Sequence, residues 1–223
     1  MPSPSPSRRG RPPVGTETLN RPRIVAEAMA MAEESGLDAV TWRGLARRLG
    51  ADPMSLYRHV DGREALLDAI TEFVLAEMEL PAATGRFRAD VHALAGSFRA
   101  AAIRYPRCAP LVLTRQLGSF AALAPVERVL AVLHAAGLPP ERAVPTLRAV
   151  LAYLIGTLLR ELDAAPTAGG TAERLGELTA AGLPHVAEAA PYLSVIDHRA
   201  EFDYGLDLLI DAIMARHDLA ARA

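Results

Sequence analysis

The chain has 223 residues, 51% hydrophobic and 22% charged, which suits a globular protein with a sizeable core and excludes a wholly disordered one. Its net charge of −2 is unevenly spread: residues 1–63 hold ten Arg against seven Asp or Glu (net +3), and residues 64–223 hold fourteen against nineteen (net −5). A basic head on an acidic body is a footprint for phosphate binding confined to one module, although a difference of this size also fits compositional scatter; the single cysteine, Cys108, excludes an internal disulfide or a zinc site built on several thiolates.

Residues 1–20 are rich in Pro, Ser and Arg and read as a flexible arm, in which Arg8, Arg9 and Arg11 are candidates to lie along phosphates or enter a minor groove. From Arg21 the period becomes helical, with Ile24, Val25, Ala28, Met31 and Ala32 on one face, Asn20 as N-cap and Gly36 as stop. A second helix runs from its cap Thr41 to Leu49 and ends at Gly50. A third, of roughly eight residues, is framed by Asp52 and the apolar Leu56 and Val60, and is too short to be stable without packing. Asp61-Gly62-Arg63-Glu64 reads as a capping box that opens a long helix to about Leu80, where Pro81 ends it.

After a loop at 82–86, residues 87–105 are amphipathic through Val91, Leu94, Phe98 and Ile103, and Pro106 closes them. Residues 125–136 form a further helix, stopped by Gly137. In the next, 141–163, the stretch 149–159 carries no charge and must be buried on every side, by its own domain or by a second subunit. Residues 164–171 read as a loop, and 198–216 set Phe202, Leu206, Leu209, Ile210 and Ile213 at helical spacing. There is no convincing run of alternating β-branched residues, so the fold class expected is all-α. The absence of an apolar leader or of a stretch of some 20 apolar residues leads to the expectation of a cytoplasmic protein with no membrane partner.

Two short helices separated by Gly50-Ala51 match a helix-turn-helix, whose second helix enters the major groove. Pro53, Met54, Ser55, Tyr57, Arg58 and His59 occupy its outward positions, a mixture of apolar, hydroxyl and basic groups suited to base edges and phosphates. On spacing alone the same segment also fits a surface helix of any helical bundle.

The run Thr41-Trp42-Arg43-Gly44-Leu45-Ala46-Arg47-Arg48-Leu49-Gly50, continued through Pro53-Met54-Ser55-Leu56-Tyr57-Arg58-His59-Val60 and Arg63-Glu64-Ala65-Leu66-Leu67, resembles the DNA-binding signature of the TetR family. Weaker similarity extends through Ala95–Arg99, Val150–Leu162 and Phe202–Ile210 to the ligand-binding domain of the tetracycline repressor subgroup. The resemblance implies a basic arm at 1–19, a three-helix DNA-binding head at 20–66, and a linking helix into a helical ligand-binding and dimerisation domain at 67–223. It implies a repressor that binds palindromic double-stranded operator DNA as a homodimer and is released by a small organic effector. Trp42 and Arg43 then start the second helix, with Arg43 reading a base or phosphate; Pro53, Met54 and Ser55 meet base edges; Tyr57, His59 and Arg63 contact phosphates. Arg58 replaces an aromatic residue of the tetracycline repressor, so the operator need not be shared.

The same resemblance nominates Phe98, Leu111, Arg115, Phe120, Tyr153 and Thr157 for the effector pocket, and Leu151, Leu158, Phe202, Leu206, Leu209, Ile210 and Ile213 for the dimer interface. Val112 and Arg160 stand where the tetracycline repressor has its magnesium-linked His and Glu, so no metal or cofactor is expected and the effector should be mostly apolar. The other reading is a helical small-molecule-binding protein or an enzyme without sequence-specific DNA binding. No Walker loop, dinucleotide fingerprint, nucleophile elbow or His-Glu-x-x-His pair supports catalysis, and His185 with Glu188 reads as a surface pair.

Overall fold

A computed structural model describes residues 18–115, 123–163, 177, 179–193 and 195–219, and among these there are helices and no strands. The arm residues Arg8, Arg9 and Arg11 and the pocket candidate Phe120 lie outside the described residues. Helix α1 (Arg21–Ser35) opens where the Asn20 side chain accepts from the Arg23 amide at 2.9 Å, and it ends at Gly36. A single 3-10 turn leads to α2 (Trp42–Leu49), capped by Thr41 Oγ1 accepting from the Gly44 amide at 3.2 Å. Gly50 then adopts the left-handed conformation (φ 63°), which a residue with a Cβ enters only at a cost, and turns the chain toward α3 (Pro53–Leu56).

Helix α3 is shorter than the sequence pattern suggests. Asp52 caps it through the Met54 amide at 2.8 Å, but from Leu56 the bonding tightens, with the His59 amide on the Leu56 carbonyl at 2.9 Å, so 57–59 are turns. The linking helix α4 (Gly62–Ala76) also departs from expectation. Asp61 makes no side-chain cap, the Glu64 carboxylate is drawn to Arg115 instead, and the helix stops at Ala76, short of Leu80.

The body consists of α5 (Phe87–Arg104), α6 (Ala109–Thr114), α7 (Ala124–Ala135), α8 (Pro140–Leu162), α9 (Pro184–Leu193) and α10 (His198–His217). Two of these, α6 and α9, do not stand out from the sequence, because neither has enough length for a periodic stripe. At the start of α5, burial of Asp90 opposes its ionisation, yet hydrogen bonds from the Thr84 hydroxyl and amide (2.7 and 2.8 Å) and the Gly85 amide (3.0 Å) hold its carboxyl below the ordinary range and lock the preceding loop. Helix α8 is long and apolar enough to cross a membrane; it packs against α5, α6, α7 and α10 on one side only, and with Ala149, Ala152 and Gly156 exposed the stretch 149–159 is not buried on every side by its own protomer.

One core joins the head to the body, with Ile24, Leu45, Leu56 and Ile70 packed in a cluster that reaches Ala101 and Cys108. A second, among α5, α7, α8 and α10, contains Leu133, Leu154, Phe202, Leu206 and Ile210. Leu158, Phe202, Leu206, Ile210 and Ile213 are therefore buried by the protomer's own helices and cannot form the dimer surface expected of them. The reason is a close approach of α8 and α10. Gly205 lies so near the Tyr153 ring that a Cβ there would sit 2.6 Å from the Tyr153 hydroxyl, which donates to the Phe202 carbonyl at 2.6 Å.

Head and body are also tied by polar contacts, since the Glu33 carboxylate of α1 accepts from the Cys108 and Arg107 amides at 2.9 and 3.2 Å, just ahead of α6. Burial first, and then the neighbouring Glu33, push the Cys108 thiol up to about 12. A thiol with so little thiolate at pH 8 and no solvent exposure should resist maleimide in the native protein and react once it is unfolded in guanidinium. Rapid labelling under native conditions would show that the head–body seam opens.

Candidate nucleic-acid interface and effector cavity

Among the described residues, the head exposes several basic side chains. Along α2 and the turn after α3, Arg43, Arg47 and Arg58 are exposed and make no ion pair among the described residues. Arg48, by contrast, bonds Glu27 and, at 2.6 Å, Glu34, and serves to clamp α2 on α1. Arg47 stands one turn beyond Arg43 on the same face of α2, a position that sequence reasoning passed over although the i, i+4 spacing was available to find it.

Between the two helices the Trp42 and Tyr57 rings meet at 4.7 Å with a 34° tilt, which props Tyr57 at the rim while leaving it 44% exposed. Met54 is 71% exposed at the start of α3, Pro53 and Ser55 are half-buried beside it, and His59 is exposed in the following turn. The Ser55 hydroxyl donates to the Asp52 carbonyl at 2.5 Å, which leaves it free to accept. Arg63 is placed differently from the others: it donates to the Val40 carbonyl at 3.2 Å and lies 3.7 Å from Asp38, so it braces the turn before α2 while staying half-exposed. Trp42 and Tyr57 are in contact, Arg43, Arg58 and His59 are exposed on the same two helices and the turn that follows, and Arg63 braces the turn before α2.

The body encloses a cavity of 190 Å³, bounded by α4, α5, α6, α7, α8 and α10. That exceeds the ~150 Å³ of an apolar cavity able to hold benzene. Leu94, Phe98, Val129, Leu147 and Leu151 are among its walls, and Arg115 is the one polar side chain among the described lining residues. Of the pocket candidates, Phe98 and Arg115 line this cavity, whereas Leu111 packs against the head–body core. Tyr153 and Thr157 border an open depression beside Tyr204, their hydroxyls bonded to backbone carbonyls. Val112 contributes to the cavity wall and Arg160 pairs with Glu201 on the surface. The described wall thus offers no carboxylate or imidazole to a magnesium ion, and the residues present do not fit a metal-linked ligand.

Outside the cavity, α8 and α10 present a joint face whose centre is uncharged, with Glu141, Arg142 and Arg216 at one end and Arg160 and Glu201 at the other. Ala149, Ala152 and Gly156 are exposed along α8, and Tyr204, Leu208 and Ala212 along α10. Leu151 and Leu209, half-buried, lie at its edges, Leu151 lining the cavity and Leu209 a surface groove.

Residues 24–70 match the family described as bacterial regulatory proteins, tetR family, and residues 80–217 match the tetracyclin repressor-like C-terminal domain. Among curated proteins, the chain is 32% identical over 204 residues to the tetracycline repressor protein class G of Vibrio anguillarum, covering 86% of this chain and 92% of that one. It is 32% identical over 203 residues to an HTH-type transcriptional regulator of Saccharopolyspora erythraea, covering 88% and 85%. Among solved structures, the TetR family protein ActR of Streptomyces coelicolor in complex with (S)-DNPA superposes with a TM-score of 0.79 at 27% identity, over 90% of this chain and all of that one.

Proposed function

Because the chain belongs to the tetR family of bacterial regulatory proteins, and is a DNA-binding transcriptional regulator of a family that does not consist of enzymes, we propose that it is a cytoplasmic homodimeric repressor released from a palindromic operator by a small apolar molecule. The observation that carries the reading is that Arg43, Arg47 and Arg58, on the two helices joined by the Trp42–Tyr57 contact and the turn after them, are exposed and make no ion pair among the described residues. An exposed set of cations with aromatic and hydroxyl groups between them costs stability by self-repulsion and is retained where phosphates neutralise it. Arg43 then forks onto a guanine or a phosphate, Pro53, Met54 and Ser55 face base edges, and Tyr57, Arg58 and His59 bond the backbone. Arg63 holds the head in register and adds a phosphate contact with its exposed side.

We place the reading head at residues 20–66 and the effector and dimer domain at 67–223, with Arg8, Arg9 and Arg11 of the arm as further phosphate contacts. Two copies associate through the joint face of α8 and α10, forming a four-helix seam that sets two heads about one turn of DNA apart. The cavity is the effector site. A ligand acts by preferring one separation of the heads over the other.

Selection of bound sequences from random DNA with the purified protein tests this reading. The expected product is an inverted repeat, bound with an affinity that falls about a thousandfold between 50 and 200 mM salt, as for a dimer with six or more phosphate contacts. Enrichment of no sequence would overturn it.

A further inference from the structure

Arg115 occupies two places at once. It caps α6 at its C-terminal end and lines the apolar cavity, yet its guanidinium bonds across to α4, with Nε on Asp68 at 2.6 Å and Nη2 on Glu64 at 2.8 Å. Nη2 also reaches the Glu64 carbonyl at 3.3 Å, whereas Nη1 has no partner among the described residues. The arginine side chain is 21% exposed, while Glu64 and Asp68 are 77% and 51% exposed. Pairs whose carboxylates sit in water are weak and easily exchanged. A carboxylate inside an apolar cavity meets the same guanidinium with far less competition from solvent, and Arg accepts a carboxylate in a two-pronged fork.

Helix α6 is short and is anchored to the head at both ends, by Glu33 on the amides before it and by Arg115 on α4 after it. The first anchor uses backbone amides and a carboxylate away from the cavity. The second uses the one charged side chain among the described residues that line the cavity.

We infer that Arg115 is a charge-sensing latch: an apolar organic acid bound in the cavity takes the guanidinium from Glu64 and Asp68, frees the first two turns of α4, and so weakens operator binding. This rests on the reading of the cavity as the effector site. Linkage makes the coupling reciprocal, so removing the two carboxylates must strengthen acid binding by the same factor by which the acid weakens the latch. The residue acts on DNA through α4 and is a positioning residue there.

The test uses 2-naphthoate and its uncharged counterpart 2-naphthylmethanol as probes, titrated into the full-length dimer by fluorescence and calorimetry. In the parent protein the acid should bind about tenfold tighter than the alcohol and lower operator affinity, while the alcohol leaves it unchanged. Glu64→Gln with Asp68→Asn, both on exposed side chains, should raise naphthoate affinity about three- to tenfold, leave the alcohol unaffected, and abolish the effect of the acid on DNA. Arg115→Gln should remove the preference for the acid; if that variant does not fold, the carboxylate variant decides alone. Equal binding of both probes, or unchanged naphthoate affinity in the carboxylate variant, overturns the latch and leaves the cavity reading standing. Binding of neither probe overturns the cavity reading and the latch with it.

Discussion

Replacing Arg43 and Tyr57 together by alanine should lower operator affinity at least about a hundredfold while the protein stays folded and dimeric. Each good bidentate base contact is worth about 1–3 kcal/mol, and a two-fold symmetric dimer loses every contact twice. Both side chains are exposed, and Tyr57 touches the head through its stack on Trp42, so little core is lost. Arg48→Ala is the informative contrast. Its guanidinium is occupied by Glu27 and Glu34, so the variant should lower the melting temperature of the head and change the salt slope of operator binding little. Equilibrium titrations of the selected operator at several salt concentrations, with circular dichroism melts alongside, separate the two. Unchanged affinity in the double variant would move the contact surface elsewhere.

A comparable loss should follow from Leu208→Glu, by a different route. Leu208 is 55% exposed and lies with Tyr204 and Ala212 on the joint face of α8 and α10. A carboxylate there costs the isolated protomer little but must be desolvated at any two-fold seam, where it also meets its own copy or that copy's neighbours. The expected result is a folded monomer by analytical ultracentrifugation and operator affinity reduced to that of a single half-site. Leu206→Ala, two residues away, should do the reverse. Its side chain has no exposure and packs with Phe202 and Ile210, so truncation should cost about 2–5 kcal/mol of unfolding free energy and leave the association surface intact. If Leu208→Glu remains dimeric at micromolar concentration, the seam lies on another face.

These two leucines mark the limit of reading helices from periodicity. The spacing of Phe202, Leu206, Leu209, Ile210 and Ile213 identifies an amphipathic helix and its apolar stripe, but a stripe carries no label saying whether a neighbouring helix or a second subunit covers it. The cavity shows the same limit, because Phe98, Leu111 and Tyr153 are equally plausible linings until packing assigns them to different sides of α5, α6 and α8.

The helix-turn-helix was legible because its determinants are local. Thr41, Gly50 and Asp52 cap and turn within a few residues of themselves, Leu45, Leu49 and Leu56 fall inward by period, and Arg43, Tyr57 and His59 are outward by subtraction. The capping box at Asp61 failed for the opposite reason. Glu64 had a local partner by spacing, yet a guanidinium more than fifty residues away competes for it with a full charge where the Asp61 amide offers only a dipole. The sequence by itself determined the all-helical class and the helix-turn-helix of the head. The tertiary structure alone decided which apolar residues are core and which are free for a partner, and that Arg115 joins the cavity to α4, because burial and long-range ion pairing depend on neighbours that no local pattern names.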